Sequence, residues 1–270
     1  MTTARLAPGV ALVTVPDRGL AVRTPDGTFL RVDTGQVSEA ALVGHLTTGA
    51  PAAGPELATL TEAFAAAGYL GRTRPAGPLD GRTVVVLGDT GLTGPLARYA
   101  EAAGAAVHHH TALPEVAGPE AARTAVVWCL DQPAPTTAWR PADRLPAHGT
   151  AWLRCHREGA HAWLEPLACA AGDVTSAHVR LRRLAATPAH RELAAYWAGH
   201  RTPDTGPGHT EASAALTAAL LTGDLIAWAG GAPLAPRRRL RRIDLRDLSV
   251  SEHPVLPVPE VAPLPPSGRR

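Results

Sequence analysis

The chain of 270 residues contains no lysine and no asparagine, so all 26 of its basic residues are arginine. That absence excludes any chemistry built on a lysine, from the Walker A phosphate clamp to the lysine of short-chain dehydrogenases. Aromatic residues make up only 4 % of the chain. The three cysteines, Cys129, Cys155 and Cys169, lie far apart and form no C-x-x-C pair. Neither a disulfide framework nor a zinc module is written in that spacing. No run approaches the roughly 18 apolar residues of a membrane span. The N-terminus lacks the charged-then-apolar pattern of a signal peptide, so the expected compartment is the cytoplasm. A formal net charge of +2 implies no general attraction to nucleic acid or membrane. The run Arg237-Arg238-Arg239-Leu240-Arg241-Arg242 is the local exception, read as a solvated strand edge or a protein contact. The abundance of Ala, Arg, Gly and Pro reflects a GC-rich coding bias rather than function. With 45 % apolar residues the chain can hold one large domain or two small ones.

The strongest local signal is Val84-Val85-Val86-Leu87-Gly88-Asp89-Thr90-Gly91-Leu92-Thr93-Gly94, followed by an Ala-rich segment ending at Gly104. Four apolar residues in a row predict a buried parallel strand, and the glycines let a helix start close to it. This is the opening β-α-β of a Rossmann-like sheet. Its loop could cradle a phosphate on helix N–H groups. Two features oppose that use. The second strand runs into His108-His109-His110 where a ribose-binding acid is expected, and Asp89 places a carboxylate inside the loop. The loop is therefore read as structural, with no cofactor.

Ahead of this signal, Val10–Val15, Leu20–Arg23 and Thr28–Val32 are three short extended runs separated by Pro-Asp-Arg-Gly and Pro-Asp-Gly turns. Helices are predicted from Val37 to Leu46, with Ser38 as N-cap, and from Pro55 to Ala67, stopped by Gly68. Three strands plus helices in some 70 residues is the pattern of a winged helix-turn-helix. Its second helix holds Glu56 and Glu62 and no base, which makes it a poor reader of DNA. Peptide binding, a purely structural role and DNA binding remain the three readings, in that order. An extended peptide could add to the edge of the third strand, its side chains entering a groove beside the helix. The candidate groove residues are Thr28, Leu30 and Val32 on the strand with Leu60 and Phe64 on the helix.

Beyond a Pro/Gly linker, Thr124–Asp131 predicts another buried strand and Trp139–Pro146 a helix. Ala151–His156 and His161–Leu167 predict a hairpin with one solvated face. Further helices are expected after Asp173, from Pro188 to Gly199, and from Thr210 to Trp228. The last is nearly uncharged and so belongs against a sheet or in a homodimer interface. Arg239–Asp244 and Leu248–Val250 predict a final strand pair, and the Pro-rich tail from His253 is expected to be extended or disordered.

The order of these pieces, with Trp228-Ala229-Gly230-Gly231, Ile243-Asp244-Leu245 and His253-Pro254-Val255, resembles the leader-peptide-binding partner proteins of azole-forming (TOMM) RiPP pathways. These are the McbB-like or ocin-ThiF-like proteins, and the likeness covers roughly residues 5–260. It implies an α/β chain in four parts. Residues 1–72 would be a winged-helix RiPP recognition element, 73–82 a linker, 83–253 a Rossmann-like E1/ThiF-type domain and 254–270 a Pro-rich tail. The family's paired Cys-x-x-Cys positions read Ser176-Ala177-His178-Val179 and Pro259–Pro263 here, leaving His178 as the sole remnant, so no metal is expected. His108-His109-His110 are the runner-up metal ligands and are read as surface residues. Active ThiF-type enzymes stabilise a pentavalent phosphorus with Arg, Lys and a metal-bound Asp; Asp131 and Arg98 fall near such positions and are read as structural. The resemblance therefore implies a non-catalytic scaffold that holds a precursor leader and presents its core to a YcaO-type cyclodehydratase, with no nucleic acid and no membrane as partners. An ATP-dependent adenylyltransferase or NAD-binding enzyme is the first alternative, and a winged-helix DNA-binding regulator the second.

Overall fold

A computed structural model describes residues 5–49, 51–71, 77–134, 139–203 and 208–259. Part of the expected linker (72–76), residues 135–138 of the loop after Asp131 and the tail from 260 lie outside the described residues. The chain forms two compact units, Met1–Ala76 and Gly77–Arg270.

In the first unit, β2 (Ala11–Val15), β3 (Gly19–Arg23) and β4 (Phe29–Arg31) make an antiparallel sheet in that order. Two helices, α1 (Glu39–Thr48) and α2 (Pro55–Ala66), accompany it. Ser38 caps α1 by accepting the Ala41 N–H, and Gly49 closes it in the left-handed region. Leu20 and Val22 alternate along β3 and bury their side chains with Leu42, Leu46, Leu57 and Phe64 of the helices. A two-residue pair not legible in the sequence ties the ends together: β1 (Arg5–Leu6) runs antiparallel to β5 (Leu70–Gly71).

The second unit is a seven-stranded mixed sheet. Its strands are β6 (Thr83–Gly88), β7 (Ala106–His109), β8 (Thr124–Cys129), β9 (Ala151–Glu158), β10 (His161–Leu164), β11 (Arg239–Asp244) and β12 (Val250–Pro254). They lie in the order β12-β11-β10-β9-β8-β6-β7. The β7-β6-β8-β9 half is parallel and the β9-to-β12 half antiparallel. Helices α3 (Thr90–Ala102) and α6 (Glu211–Ala229) pack on one face through Leu92, Leu96, Leu221, Leu225 and Trp228. Trp139, Trp152 and Leu145 fill the other face. By length and composition α6 could cross a membrane, yet half of its most apolar window is buried inside the unit.

The structure corrects several expectations. Trp139–Pro146 is not an α-helix; a 3₁₀ stretch spans Ala142–His148, and Pro146 inside it has no N–H to give an α-ladder. The last strand is Val250–Pro254 rather than Leu248–Val250, because Leu248, at φ 62°, donates back to the Asp244 carbonyl and closes a turn. Where the expected extended tail begins, His253 and Pro254 belong to β12, Val255 is buried beside Leu240, and Arg182 of α4 (Ser176–Ala185) donates to the carbonyls of Leu256 and Pro257.

The largest correction concerns β9, which has no solvated face. Arg154, His156 and Arg157 are all buried. Arg154 bonds Glu165 and the carbonyls of Pro166 and Val174. Glu158 accepts hydrogen bonds from both Arg183 terminal nitrogens and from the Trp197 indole, and faces the His156 ring at 3.1 Å. Trp197 lies on α5 (His190–Trp197), so one carboxylate pins α4 and α5 onto the sheet. Burial tends to raise the Glu158 pKa. The bonds from His156 and Arg183 overcome it and hold the carboxyl well below the usual range.

Candidate functional site

Two concave regions, one in each unit, carry the residues singled out by the sequence. The first lies along β4. Period-two alternation puts Leu30 opposite Val22 on the core side of the sheet, while Phe29 and Arg31 face out, opposite Arg23 and Ala21. Leu30, Val32, Leu60, Ala63, Phe64 and Tyr69, with Val22 beneath, line a mainly apolar groove of about 240 Å³ between β4 and α2, together with Arg31 and Asp33. Phe64 and Tyr69 meet edge to face at 5.9 Å. Of the five expected residues, Leu30, Val32, Leu60 and Phe64 come together here. Thr28 does not line the groove; its N–H and hydroxyl bond the Asp26 carboxylate in the β3–β4 turn. Tyr69 and Ala63 escaped the sequence reading, although Tyr69 directly follows the Gly68 stop that turns the chain back toward α2.

The backbone completes this site. Thr24 N–H donates to the Thr28 carbonyl and Val32 N–H to the Leu20 carbonyl, both at 2.9 Å. In an antiparallel ladder that parity directs the N–H and C=O groups of Thr28, Leu30 and Val32 toward β3. Those of Phe29 and Arg31 then point away from the sheet. Since β4 is an edge strand, they have no ladder partner among the described residues. Phe29 and Leu30, adjacent on this edge, are 60 % and 43 % exposed. An unpaired rail thus runs beside an apolar trough, which is the geometry that accepts an extended chain.

The second region is a crevice of about 490 Å³ at the C-terminal ends of β6 and β8, where the order of the parallel strands reverses. Its chemistry departs from that of a phosphate site. Asp89, Asp131 and Glu211 line it. Asp89 stands at the N-cap of α3, and its carboxylate accepts the Asp131 N–H at 2.7 Å. Asp131 in turn binds Arg157 at 2.6 Å, so that guanidinium is neutralised. The remaining titratable group, His209, donates its backbone N–H to Asp131 and has its pKa lowered by burial. Gly88 serves the strands rather than a ligand: at φ +107°, a Cβ there would come within 1.8 Å of the Cys129 carbonyl oxygen. Arg98 is an exposed residue of α3 and does not line the crevice. Among the described lining residues the carboxylates are acceptors that repel, rather than hold, the phosphates of a nucleotide.

The metal candidates are dispersed. His178 completes a capping box with Thr175 at the start of α4. His108 and His109 lie on the β7 edge and His110 just beyond it. Among the described residues no group of three or more His, Cys, Asp or Glu could hold a metal ion.

No protein-family model and no curated protein matches the chain. Solved structures do. The heterocyclase TruD shares 15 % identity at a TM-score of 0.63, over 95 % of this chain and 42 % of its own. A heterocyclase in complex with substrate and cofactor gives 12 % and 0.64, over 95 % and 39 %. This chain therefore spans about two fifths of the length of these heterocyclases. A chain of the E. coli microcin synthetase McbBCD complex with pro-MccB17 bound gives 12 % and 0.52, over 94 % of this chain and 97 % of that one. In fold, along nearly its whole length, the protein is similar to components of heterocyclases and of a microcin synthetase.

Proposed function

We propose that the protein binds the leader region of a ribosomally made precursor peptide and presents it to a YcaO-type cyclodehydratase, which forms thiazolines or oxazolines from Cys, Ser or Thr of the core. The carrying observation is the unpaired edge of β4 beside the groove of Leu30, Val32, Leu60 and Phe64. Residues 5–71 act as a recognition element of winged-helix type. The leader adds as a fourth strand on the Phe29 and Arg31 backbone and drops alternate apolar side chains into the trough. Each such side chain contributes roughly 1.5–3 kcal/mol on burial. The α2 helix carries Glu56 and Glu62 and no base, which favours a peptide over DNA.

The second unit is a non-catalytic scaffold. Among the described residues its crevice is lined by three carboxylates and holds no cationic clamp of the kind adenylyl transfer needs. Holding the leader raises the local concentration of the core at the partner's active site. The likeness in fold to heterocyclases and to a microcin synthetase with pro-MccB17 bound supports this assignment.

The test is a fluorescence-anisotropy titration with a labelled synthetic peptide of alternating apolar residues, matched to the leader of a short precursor where the neighbouring genes encode one. Leu30→Asp is the variant of choice. Phe64 is only 6 % exposed and belongs to the core of the unit, so a charge there would unfold it. Leu30→Asp is expected to weaken binding by about tenfold or more, equivalent to one lost apolar contact. Equal affinity of wild type and variant would contradict the proposal.

A further inference from the structure

The solvent side of the small sheet holds a feature that leader binding alone does not require. Arg23 of β3 and Arg31 of β4 point to this side, and Arg18 lies in the β2–β3 turn on the rim of the same recess as Arg31. None of the three guanidinium groups has an ion-pair or hydrogen-bond partner among the described residues. In the second unit the buried or largely buried arginines Arg154, Arg157, Arg183, Arg237 and Arg241 are matched with carboxylates. Three unmatched cations around one open strand edge are poised for charge brought by something else.

We infer that the peptide taken up by β4 alternates apolar residues, which enter the groove, with acidic residues, which meet the arginine face. The inference rests on the peptide reading above and deepens it. A strand paired to β4 obeys the same two-residue period. Its residues opposite Leu30 and Val32 point into the trough, and those opposite Phe29 and Arg31 point to the solvent side. At that side an acidic residue opposite Phe29 lies diagonally from Arg31, with Arg23 one strand further in. An acidic residue opposite Arg31 forms a direct cross-strand ion pair. The preference has an end. Asp33 and Glu39 line the recess that Arg18 and Arg31 border, and Asp33 with Glu56 borders the next hollow along α2. Past Val32 these carboxylates offset Arg18, so the preference for a peptide acid ends there. The site reads a charge pattern as well as an apolar one, and a leader with bases at the solvent-side positions is rejected.

Selection from a displayed library of random 12-residue peptides on the full-length protein tests this, run in parallel with Arg31→Glu, Arg31→Ala and Leu30→Asp. Peptides captured by wild type and lost with Leu30→Asp are expected to show Asp or Glu alternating with apolar residues. The expected enrichment is about two- to fivefold over Lys or Arg at each such position. Arg31→Ala flattens the preference and Arg31→Glu inverts it, while the apolar positions stay the same. Peptides that depend on Leu30 but carry no charge preference, or one that Arg31→Glu leaves unmoved, overturn the inference and leave peptide binding standing. If no captured peptide depends on Leu30, the peptide reading fails and this inference with it.

Discussion

Removing the Arg154 side chain tests whether the β9 network positions the second unit. Arg154 is fully buried on the central strand β9, with Nε 2.7 Å from Glu165 and its terminal nitrogens on the Pro166 and Val174 carbonyls. In Arg154→Ala the Glu165 carboxylate, whose side chain is 2 % exposed, keeps its burial and loses its counter-charge. Two carbonyls lose donors as well. Breaking a buried pair from one side costs about 3–5 kcal/mol, whereas replacing both partners by apolar groups is often neutral. Arg154→Met with Glu165→Leu is therefore expected within about 2 kcal/mol of wild type, far from the sum of the single losses. All six tryptophans lie beyond residue 77, so their fluorescence in a urea titration reports this unit alone. A loss below about 1 kcal/mol for Arg154→Ala, or a double variant as unstable as the sum of the singles, would refute the assignment.

Three further outcomes follow from the same geometry. Gly88→Ala drives a methyl into the Cys129 carbonyl at a positive φ; we expect little soluble protein, and a variant of wild-type urea midpoint would contradict that role. Glu158 has a folded pKa below its ordinary 4.5, so its contribution is complete above that pH. It is lost as pH falls from 4.5 toward the folded value, and Glu158→Gln should flatten this acid limb of the tryptophan-monitored stability curve. Calorimetric titration with Mg–ATP or NAD is expected to give no submillimolar binding at the Asp89 crevice, since three carboxylates meet the phosphates. Tight binding of either would restore an enzymatic reading.

What could be read from the sequence was local. Ser38 and Gly49 bracket α1, and the Val84–Leu87 run marks a buried strand, because capping and burial are written in neighbouring residues. Leu30, Val32, Leu60 and Phe64 could be brought together because each follows its own element's period toward one core. The misses are long-range. The Arg5–Gly71 pairing spans the unit in two residues, too short to leave a pattern. Alternation along Ala151–His156 reads as half-solvated because nothing local says that α4 and α5 arrive to bury Arg154 and His156 against Glu165 and Glu158. The arginine face of the small sheet escaped for a related reason, since Arg18, Arg23 and Arg31 become neighbours only once the strands pair.

The most direct measurement of the central claim is amide hydrogen exchange along β4, with and without saturating leader peptide. Strand addition predicts that the outward amides of Phe29 and Arg31 slow markedly, while Leu30 and Val32, already committed to β3, change little. Protection confined to the Gly88–Gly94 turn, or unchanged exchange at Phe29 and Arg31 in the saturated complex, would contradict it.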